Sequence, residues 1–357
     1  MFLQHKAPRL YAALAKLLLL ILLVGCKDDH PPRTIEPAFY YWKSVLNISS
    51  AEKQKLDSLQ VRTLYIKFFD VDWDELKRAP VPVAKLQAGQ QKMQAGFAVI
   101  PTVFITNGCI QKIDSTQVPE LASNIIKLIL AIQQANAFDS IPEIQIDCDW
   151  TAGSREKYFL LLNTIKHTMA SDKLTAGIKL SCTIRLHQVK YLKKTGVPPV
   201  DRGLLMCYNM GNLYNPATKN SIIETTELKK YVGDLASYPL QLDVAFPLFD
   251  WKVLYRNNKY SGLFQQLPAG FFNMAFATKK GNRYLIIKDT LLEGYDLRKG
   301  DMIRDEQSDI KEVQAAAAEI SRHVRNTHLR VSLYHLDSVI LSKYTTHELE
   351  SIYNSLH

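Results

Sequence analysis

Glu143-Ile144-Gln145-Ile146-Asp147-Cys148-Asp149-Trp150 predicts a β-strand with one polar and one apolar face. The polar side chains of this strand are Gln145, Asp147 and Asp149. Residues 179–187 predict a second such strand, with polar positions Ser181, Thr183, Arg185 and His187. A strand inside an ordinary parallel sheet is apolar on both faces, and an isolated buried charge is costly. Two neighbouring strands with polar faces therefore predict a sheet that surrounds a partly wet cleft.

The rest of the chain alternates strand-like and helix-like segments around these two strands. The other predicted strands are residues 38–45, 63–69, 97–105, 203–210, 240–249 and 329–336. The predicted helices are residues 50–59, 119–135, 155–170, 228–237, 310–324 and 346–356. Eight strands, each followed by a helix or a loop, predict an α/β fold of the (β/α)8 (TIM) barrel type, with a doubly wound sheet as the main alternative. Residues at about 280–306 predict a small antiparallel β insertion between the seventh and eighth strands.

Basic residues followed by a short apolar run predict an export signal at the N-terminus. The run, residues 17–24, is shorter than the roughly 20 residues that a bilayer-spanning helix needs. Leu23-Val24-Gly25-Cys26 resembles the lipobox of bacterial lipoproteins, which implies lipidation of Cys26 and a cut before it. Lys27-Asp28-Asp29 resembles the acidic surface-export tag of Bacteroidetes-type lipoproteins, and a solvated charged leash is the alternative. We expect a signal peptide at 1–25, a tether at 26–36 and a barrel domain at 37–357, anchored by lipid to the outer membrane or cell surface.

Composition restricts the classes of function. Apolar residues make up 47% of the chain and charged residues 22%, as in a folded globular protein. The formal net charge is +9, but the basic residues do not cluster with aromatic ones, so we expect no nucleic acid partner. We expect no cofactor either, because an exported protein meets little free ATP or NAD. The cysteines form no Cys-x-x-Cys pair, which argues against a metal site.

The end of the fourth predicted strand carries the strongest candidate for chemistry, since barrel enzymes place their working groups at the C-terminal ends of the strands. Asp147 and Asp149 form a pair of carboxyl groups there. Glycoside cleavage needs one carboxyl group that holds a proton and a second that is ionised, and crowding of two carboxylates raises the pKa of one of them. The alternative is a strand-end turn with two solvated aspartates.

Further residues at the predicted lumen and rim are candidates for substrate binding. They are Lys67, Asp72, Trp150, Arg185, His187 and Trp251. Tryptophan rings can stack on sugar rings, and Arg185 and His187 can bind carboxylates, sulfates or hydroxyl groups. Lys67 requires an anionic partner, for which we expect Asp147 or Asp243. Such a pair could equally be part of a structural charge network.

Three of these segments together resemble glycoside hydrolase family 18. They are the Asp-x-Asp pair on the fourth strand, Met206-Cys207-Tyr208-Asn209 on the sixth and Phe246-Pro247-Leu248-Phe249 on the seventh. The resemblance covers strands four to seven and implies that Tyr208 supports the N-acetyl group of the substrate. We expect Tyr208 to be catalytic with the two aspartates, and Asn209 to bind the substrate. The glutamic acid of the family motif is replaced by Thr151. The chain is also similar to uncharacterised bacterial barrel proteins with a Gln-Ile-Asp-x-Asp segment.

We therefore expect a lipid-anchored barrel that binds and hydrolyses a glycan with Asp147 and Asp149. Thr151 leaves open a second hypothesis, a surface lipoprotein that binds glycan without cleaving it. A third hypothesis is an envelope scaffold for another protein, which a cleft plugged by side chains would favour.

Overall fold

The computed structural model describes residues 33–89, 96–265 and 275–357. The predicted signal at 1–25, Cys26 and most of the tether lie outside the described residues, so the lipid anchor stays a prediction. Among the residues described, no helix has the length and apolar character required to cross a bilayer.

Eight parallel strands form a closed barrel, which confirms the predicted (β/α)8 architecture. We number them β1 to β8 in chain order: Thr34–Tyr41, Thr63–Asp74, Ala98–Ile105, Glu143–Asp147, Lys179–Arg185, Arg202–Met206, Leu242–Pro247 and His328–Tyr334. The barrel closes because β1 pairs in parallel with both β8 and β2. All eight lie within or close to the segments predicted from sequence.

Helices cover the outside of the barrel. In chain order, α1 to α10 are Ser50–Ser58, Asn107–Lys112, Val118–Asn136, Arg155–Ser171, Leu186–Lys190, Leu192–Thr195, Thr225–Leu228, Ile310–Ser321, Ser338–Leu341 and Thr346–Asn354. The predicted helix at 228–237 is wrong. The chain forms only the short α7 and a 3-10 turn at Leu235–Ser237, because Gly233 and Asp234 disfavour a continuous helix.

The apolar core lies between the strands and the helices. Ile144 and Ile146 of β4 are fully buried, and they belong to the same cluster as Leu161 and Ile165 of α4. Cys148, Cys182 and Cys207 are buried free thiols, as expected for small core residues.

The floor of the lumen is a buried ion network at the N-terminal ends of the strands. Arg330 contacts Glu143 at 2.9 Å and Glu36 at 2.8 Å, while Arg202 contacts Asp243 at 3.0 Å. Because working groups of barrel enzymes lie at the opposite end, this network is structural. It removes Asp243 from the candidates for partner of Lys67.

The strand β2 extends beyond its predicted end into a hairpin. Its last residues pair antiparallel with a strand at Ala79–Val83. The register of β2 against β3 shifts between Lys67 and Phe69, which is a β-bulge. The bulge brings Asp70 to the side of the strand on which Lys67 lies.

The predicted antiparallel insertion between β7 and β8 is present as a five-stranded sheet. The spatial order of its strands is Lys259–Phe264, Asp250–Arg256, Met302–Gln307, Arg283–Ile286 and Ala277–Lys280. A two-stranded ribbon, Thr290–Leu292 with Tyr295–Leu297, accompanies it. The sheet begins at Asp250, directly after β7, and therefore includes Trp251.

Candidate active site at the C-terminal mouth of the barrel

Asp147 is the last residue of β4, and its side chain is almost completely buried at 7% exposure. The Thr183 hydroxyl on β5 donates a hydrogen bond of 2.5 Å to Asp147 Oδ1. Burial, together with the nearby negative charge of Asp149, raises the pKa of Asp147 from 3.8 to about 6. Asp147 is therefore a carboxyl group that holds its proton in mildly acidic solution, which is the property required of a general acid.

Asp149 is in a different state, because it forms a two-point ion pair with Arg185. Arg185 Nε and Nη2 donate to its two oxygens at 2.5 and 2.8 Å. The Asp149 side chain is 49% exposed, whereas Arg185 is mostly covered. The structure thus brings the two predicted carboxyl groups together but gives them different surroundings, because Asp149 is ion-paired whereas Asp147 has no cationic partner within ion-pair distance among the described residues.

Lys67 pairs with Asp70, not with Asp147 or Asp243, so the predicted partner is wrong. Lys67 Nζ lies 3.1 Å from Asp70 Oδ2 and 5.7 Å from the centre of the Trp42 ring. The bulge in β2 explains the error, because a regular strand would turn Asp70 away from Lys67. Asp70 Oδ1 is buried without a hydrogen-bond partner among the described residues.

Asp70 is not among the predicted site residues, although its place in the sequence made it, with Asp72, a candidate for the acid that is missing at Thr151. Its charge contributes to the raised pKa of Asp147 and to that of Tyr334, which places it among the groups of the mouth. The only signal in the sequence was its position, together with Asp72, after an apolar strand.

Aromatic rings form a wall around these polar groups. Tyr208 and Phe249 each lie within 6 Å of Tyr334, at 5.5 and 5.7 Å between ring centres. Tyr334 also contacts Tyr40 at 5.5 Å and Trp42 at 5.7 Å. Tyr40 and Tyr208 are buried, whereas Trp42, Phe249 and Tyr334 are partly exposed and provide apolar faces of the kind that sugar rings stack on.

Tyr208 lies at the predicted place, beside the acids. Its ring is buried, and its hydroxyl group has no hydrogen-bond partner within residues 33–89, 96–265 and 275–357. Burial raises the pKa of Tyr208, and the electrostatic contributions from Arg185, Asp147 and Asp149 show that all three are close. A buried hydroxyl without a protein partner can hydrogen-bond to a ligand.

Lower in the lumen, Gln145 is held by two hydroxyl groups. Tyr40 and Thr102 donate to Gln145 Oε1 at 2.5 and 3.3 Å. Tyr65, Met206 and Ala245 fill the lumen as part of a buried cluster. The barrel interior is thus packed below the mouth, and a ligand can reach the acids only from the C-terminal side.

Trp150 does not belong to the rim, and that prediction is wrong. It is fully buried, its ring stacks on Tyr158 at 5.2 Å, and its Nε1 donates to the carbonyl of Thr195 at 3.1 Å. The strand ends at Asp147, so the alternation of faces no longer applies at Trp150, which turns into the outer core.

Trp251 is half-buried and lies in the insertion. Its Nε1 donates to Glu306 Oε2 at 2.6 Å, and its ring contacts Phe249 at 5.3 Å. Glu306 also pairs with buried Arg304. Trp251 therefore connects the insertion to the aromatic wall.

Three other predicted residues are exposed at the rim. Asp72 accepts a hydrogen bond from the Thr106 hydroxyl at 2.8 Å. Asn209 has a left-handed backbone with φ 54°. His187 lies just after Arg185, and burial together with that positive charge lowers the pKa of His187. At neutral pH His187 is mainly uncharged.

Thr151 occupies an exposed turn after Trp150. Its backbone amide donates to Ser154 Oγ at 2.9 Å. Its side chain has no acidic group, so no proton donor stands at this position. In the part of the chain that the structure describes, no group of three or more His, Cys, Asp or Glu side chains could hold a metal ion.

Comparison with known proteins shows that the fold of the chain is similar to the solved structures of spore cortex-lytic enzymes and of a chitinase. No family model and no curated protein sequence matches it. The fold is similar to that of the spore cortex-lytic enzyme SleL of Bacillus cereus, at 15% identity and a TM-score of 0.53 over 91% of this chain and 75% of that one. SleL of Bacillus megaterium is similar at 12% identity and 0.52, with the same coverage.

A chitinase from Chromobacterium violaceum is also similar, at 10% identity and a TM-score of 0.50 over 90% of this chain and 98% of that one. Identities this low show a shared fold. The barrel is thus of the kind found in these enzymes, and its function is inferred from the residues of the mouth.

Proposed function

We propose that this protein is a glycoside hydrolase-like barrel that binds a glycan across the mouth and hydrolyses it with Asp147 as general acid. The observation that carries the proposal is the place of Asp147 at the C-terminal mouth of the barrel, where its carboxyl group is 7% exposed and accepts a hydrogen bond of 2.5 Å from the Thr183 hydroxyl. This burial, together with the charge of Asp149, raises the pKa of Asp147 to about 6. Phe249 and Tyr334 of the aromatic wall beside it are partly exposed and offer a surface for sugar rings. The similarity in fold to cortex-lytic enzymes and a chitinase supports this class of reaction.

In this mechanism Asp147 gives its proton to the glycosidic oxygen while the bond to the sugar C1 breaks. Asp70 is the second carboxyl group. Its Oδ2 is paired with Lys67, while its Oδ1 has no hydrogen-bond partner among the described residues and is free to stabilise the positive sugar or to accept a proton from the attacking water. Asp149, held by Arg185, raises the pKa of Asp147 without taking part in proton transfer. The Tyr208 hydroxyl is placed to bind the substrate.

The predicted lipobox indicates where the protein would act. Lipidation of Cys26 would hold the barrel at the outer membrane or the cell surface, where polysaccharides are available and soluble cofactors are not needed for hydrolysis. Metabolic labelling with a fatty acid analogue, compared between the wild type and Cys26→Ala, tests the anchor.

The test of the activity is a screen of the purified protein against a panel of polysaccharides, with detection of released oligosaccharides. We expect product from at least one glycan with the wild type and a loss of about a hundredfold or more with Asp147→Asn, since general acids contribute this much to rate. Asp172→Asn, a change at an unrelated position at the end of α4, is the control and should leave the rate unchanged. Equal rates for Asp147→Asn and the wild type would reject the assignment.

A second candidate function is glycan binding without cleavage. Two observations favour it, the absence of an acid at Thr151 and the ion pair that occupies Asp149. It predicts binding to a glycan of the panel with no product at any pH between 4 and 8, and binding that survives Asp147→Asn. Release of product by the wild type would exclude it.

A further inference from the structure

An exposed and mostly basic surface begins directly after β5, beside the Asp149–Arg185 pair. We call it the basic ledge and define it as His187, Lys190, Tyr191, Lys193 and Lys194. It is formed by α5 and α6 and the residue between them. All of its members except half-buried Lys190 are exposed.

The ledge is held in place from below. The indole of Trp150 donates to the carbonyl of Thr195, and the side chain of Gln188 donates to the carbonyl of Trp150 at 2.9 Å. The Gln188 side chain also accepts a hydrogen bond of 2.7 Å from the backbone amide of Arg185. The buried end of β4, the paired Arg185 and the ledge are thus parts of one rigid unit. A fixed surface loses little conformational entropy when it binds a ligand.

The positive charges of the ledge are not neutralised. Within the described ranges, Lys190, Lys193 and Lys194 have no carboxylate in ion-pair distance. Lysines nearby differ, since Lys166 pairs with Asp201 at 2.6 Å and Lys230 with Glu227 at 2.5 Å. Three unpaired ammonium groups within five residues create a local positive potential that attracts anions.

Aromatic rings accompany these charges. Lys190 Nζ lies 5.0 Å from the centre of the Tyr231 ring and 5.6 Å from that of Tyr191. The Tyr191 side chain is half-exposed, with 49% of its surface accessible. An exposed ring next to unpaired ammonium groups offers both a stacking face and charge, which suits a sugar that carries an acidic group better than a neutral one.

The ledge lies next to the site of cleavage. His187 is close enough to Arg185 and Asp149 to feel both charges, and Lys190 and Tyr191 follow one helical turn later. A chain molecule that passes over Asp147 towards β5 would continue onto the ledge.

We propose that the basic ledge is a subsite for an acidic glycan, in which Lys190, Lys193 and Lys194 bind carboxylate or sulfate groups and Tyr191 stacks on a sugar ring. This inference rests on the proposed function and narrows its substrate to a polyanionic polysaccharide.

The experiment uses pairs of polysaccharides that share a backbone and differ in charge: dextran sulfate with dextran, and polygalacturonate with its methyl ester. Dissociation constants are measured for the wild type, for Lys190→Gln/Lys193→Gln/Lys194→Gln, and for a control of equal charge change, Lys173→Gln/Lys280→Gln/Lys288→Gln. We expect the wild type to prefer the charged member of at least one pair, and the ledge variant to lose about tenfold in affinity at low salt. The control should stay within twofold of the wild type, and Tyr191→Ala should weaken binding to both members of that pair.

Equal affinity for charged and neutral members, or equal losses in the ledge variant and the control, would overturn the subsite. Binding to phosphatidylglycerol vesicles that the ledge variant abolishes, with no binding to the charged polysaccharides, would overturn it too and assign the ledge to a membrane surface. A failure of the proposed hydrolysis can be distinguished from a failure of the subsite. Asp147→Asn is expected to stop product release and leave binding to dextran sulfate or polygalacturonate unchanged, so an inactive wild type with ledge-dependent binding would reject hydrolysis and keep the subsite.

Discussion

Replacing Asp147 by asparagine should make the folded protein more stable at alkaline pH. The ionised carboxylate of the wild type is 7% exposed and lies near Asp149 and Asp70, and this environment raises its pKa from 3.8 to about 6. A difference of about two pH units corresponds to about 3 kcal/mol between the two protonation states. Asparagine resembles the protonated form, and its oxygen can still accept the hydrogen bond from Thr183.

The direction in which the stability contribution of Asp147 changes with pH follows from proton linkage. Between about pH 4 and pH 6 the folded state binds more protons than the unfolded state, because the pKa of Asp147 is higher in the folded state. The contribution of Asp147 is therefore most favourable below about pH 4 and is lost as the pH rises through about 6. Asparagine has no such dependence, so the stability gained by Asp147→Asn should grow by about 3 kcal/mol between pH 4 and pH 8.

Urea unfolding of both proteins at a series of pH values measures this difference. Asp172→Asn is the matched control, because Asp172 lies at the end of α4 and an amide oxygen there can still accept the hydrogen bond from the Leu174 amide, so its effect on stability should stay within about 0.5 kcal/mol. A difference between the wild type and Asp147→Asn that does not change with pH would refute the raised pKa and with it the role of Asp147 as an acid.

Three further changes test other parts of the structure. Trp150→Phe leaves the buried carbonyl of Thr195 without its donor, so urea unfolding should show a loss of about 1–3 kcal/mol; a loss below 0.5 kcal/mol would contradict the buried hydrogen bond. Arg330→Met leaves Glu143 and Glu36 without their common partner, and we expect a loss of about 3–5 kcal/mol by the same measurement, with Lys173→Gln as a neutral control. Asp149→Asn removes a negative charge that raises the pKa of Asp147, so the pH at which the rate of hydrolysis falls should move below about 6; an unchanged midpoint would show that the two groups are not coupled.

The succession of eight strand-like and helix-like segments was enough to predict the barrel, and the alternation of residues along β4 and β5 predicted much of its mouth. Period-two geometry is a local property of strands, so Asp147, Thr183 and Arg185 point where the sequence placed them. The antiparallel insertion was predictable for the same reason, although it was predicted at about 280–306 and its first strand, Asp250–Arg256, in fact follows β7 directly.

The errors arise where this regularity stops. A bulge in β2 shifts the phase of the strand and gives Lys67 a partner, Asp70, that a regular strand would turn away. Trp150 follows the end of β4, where the chain turns into the outer core. The charge states of Asp147 and Asp149 depend on burial and on the exact approach of Arg185, which are tertiary properties that one sequence does not contain.

The pH dependence of hydrolysis tests the role of Asp147 most directly. On a polysaccharide that the wild type cleaves, kcat/KM should be high at pH 5 and fall as the pH rises through about 6, because Asp147 must carry a proton to donate it. The Asp147→Asn variant should not show this fall of kcat/KM near pH 6, and its rate of hydrolysis should be much lower than that of the wild type. Hydrolysis that continues undiminished in Asp147→Asn, or that rises through pH 6 in the wild type, would contradict the account.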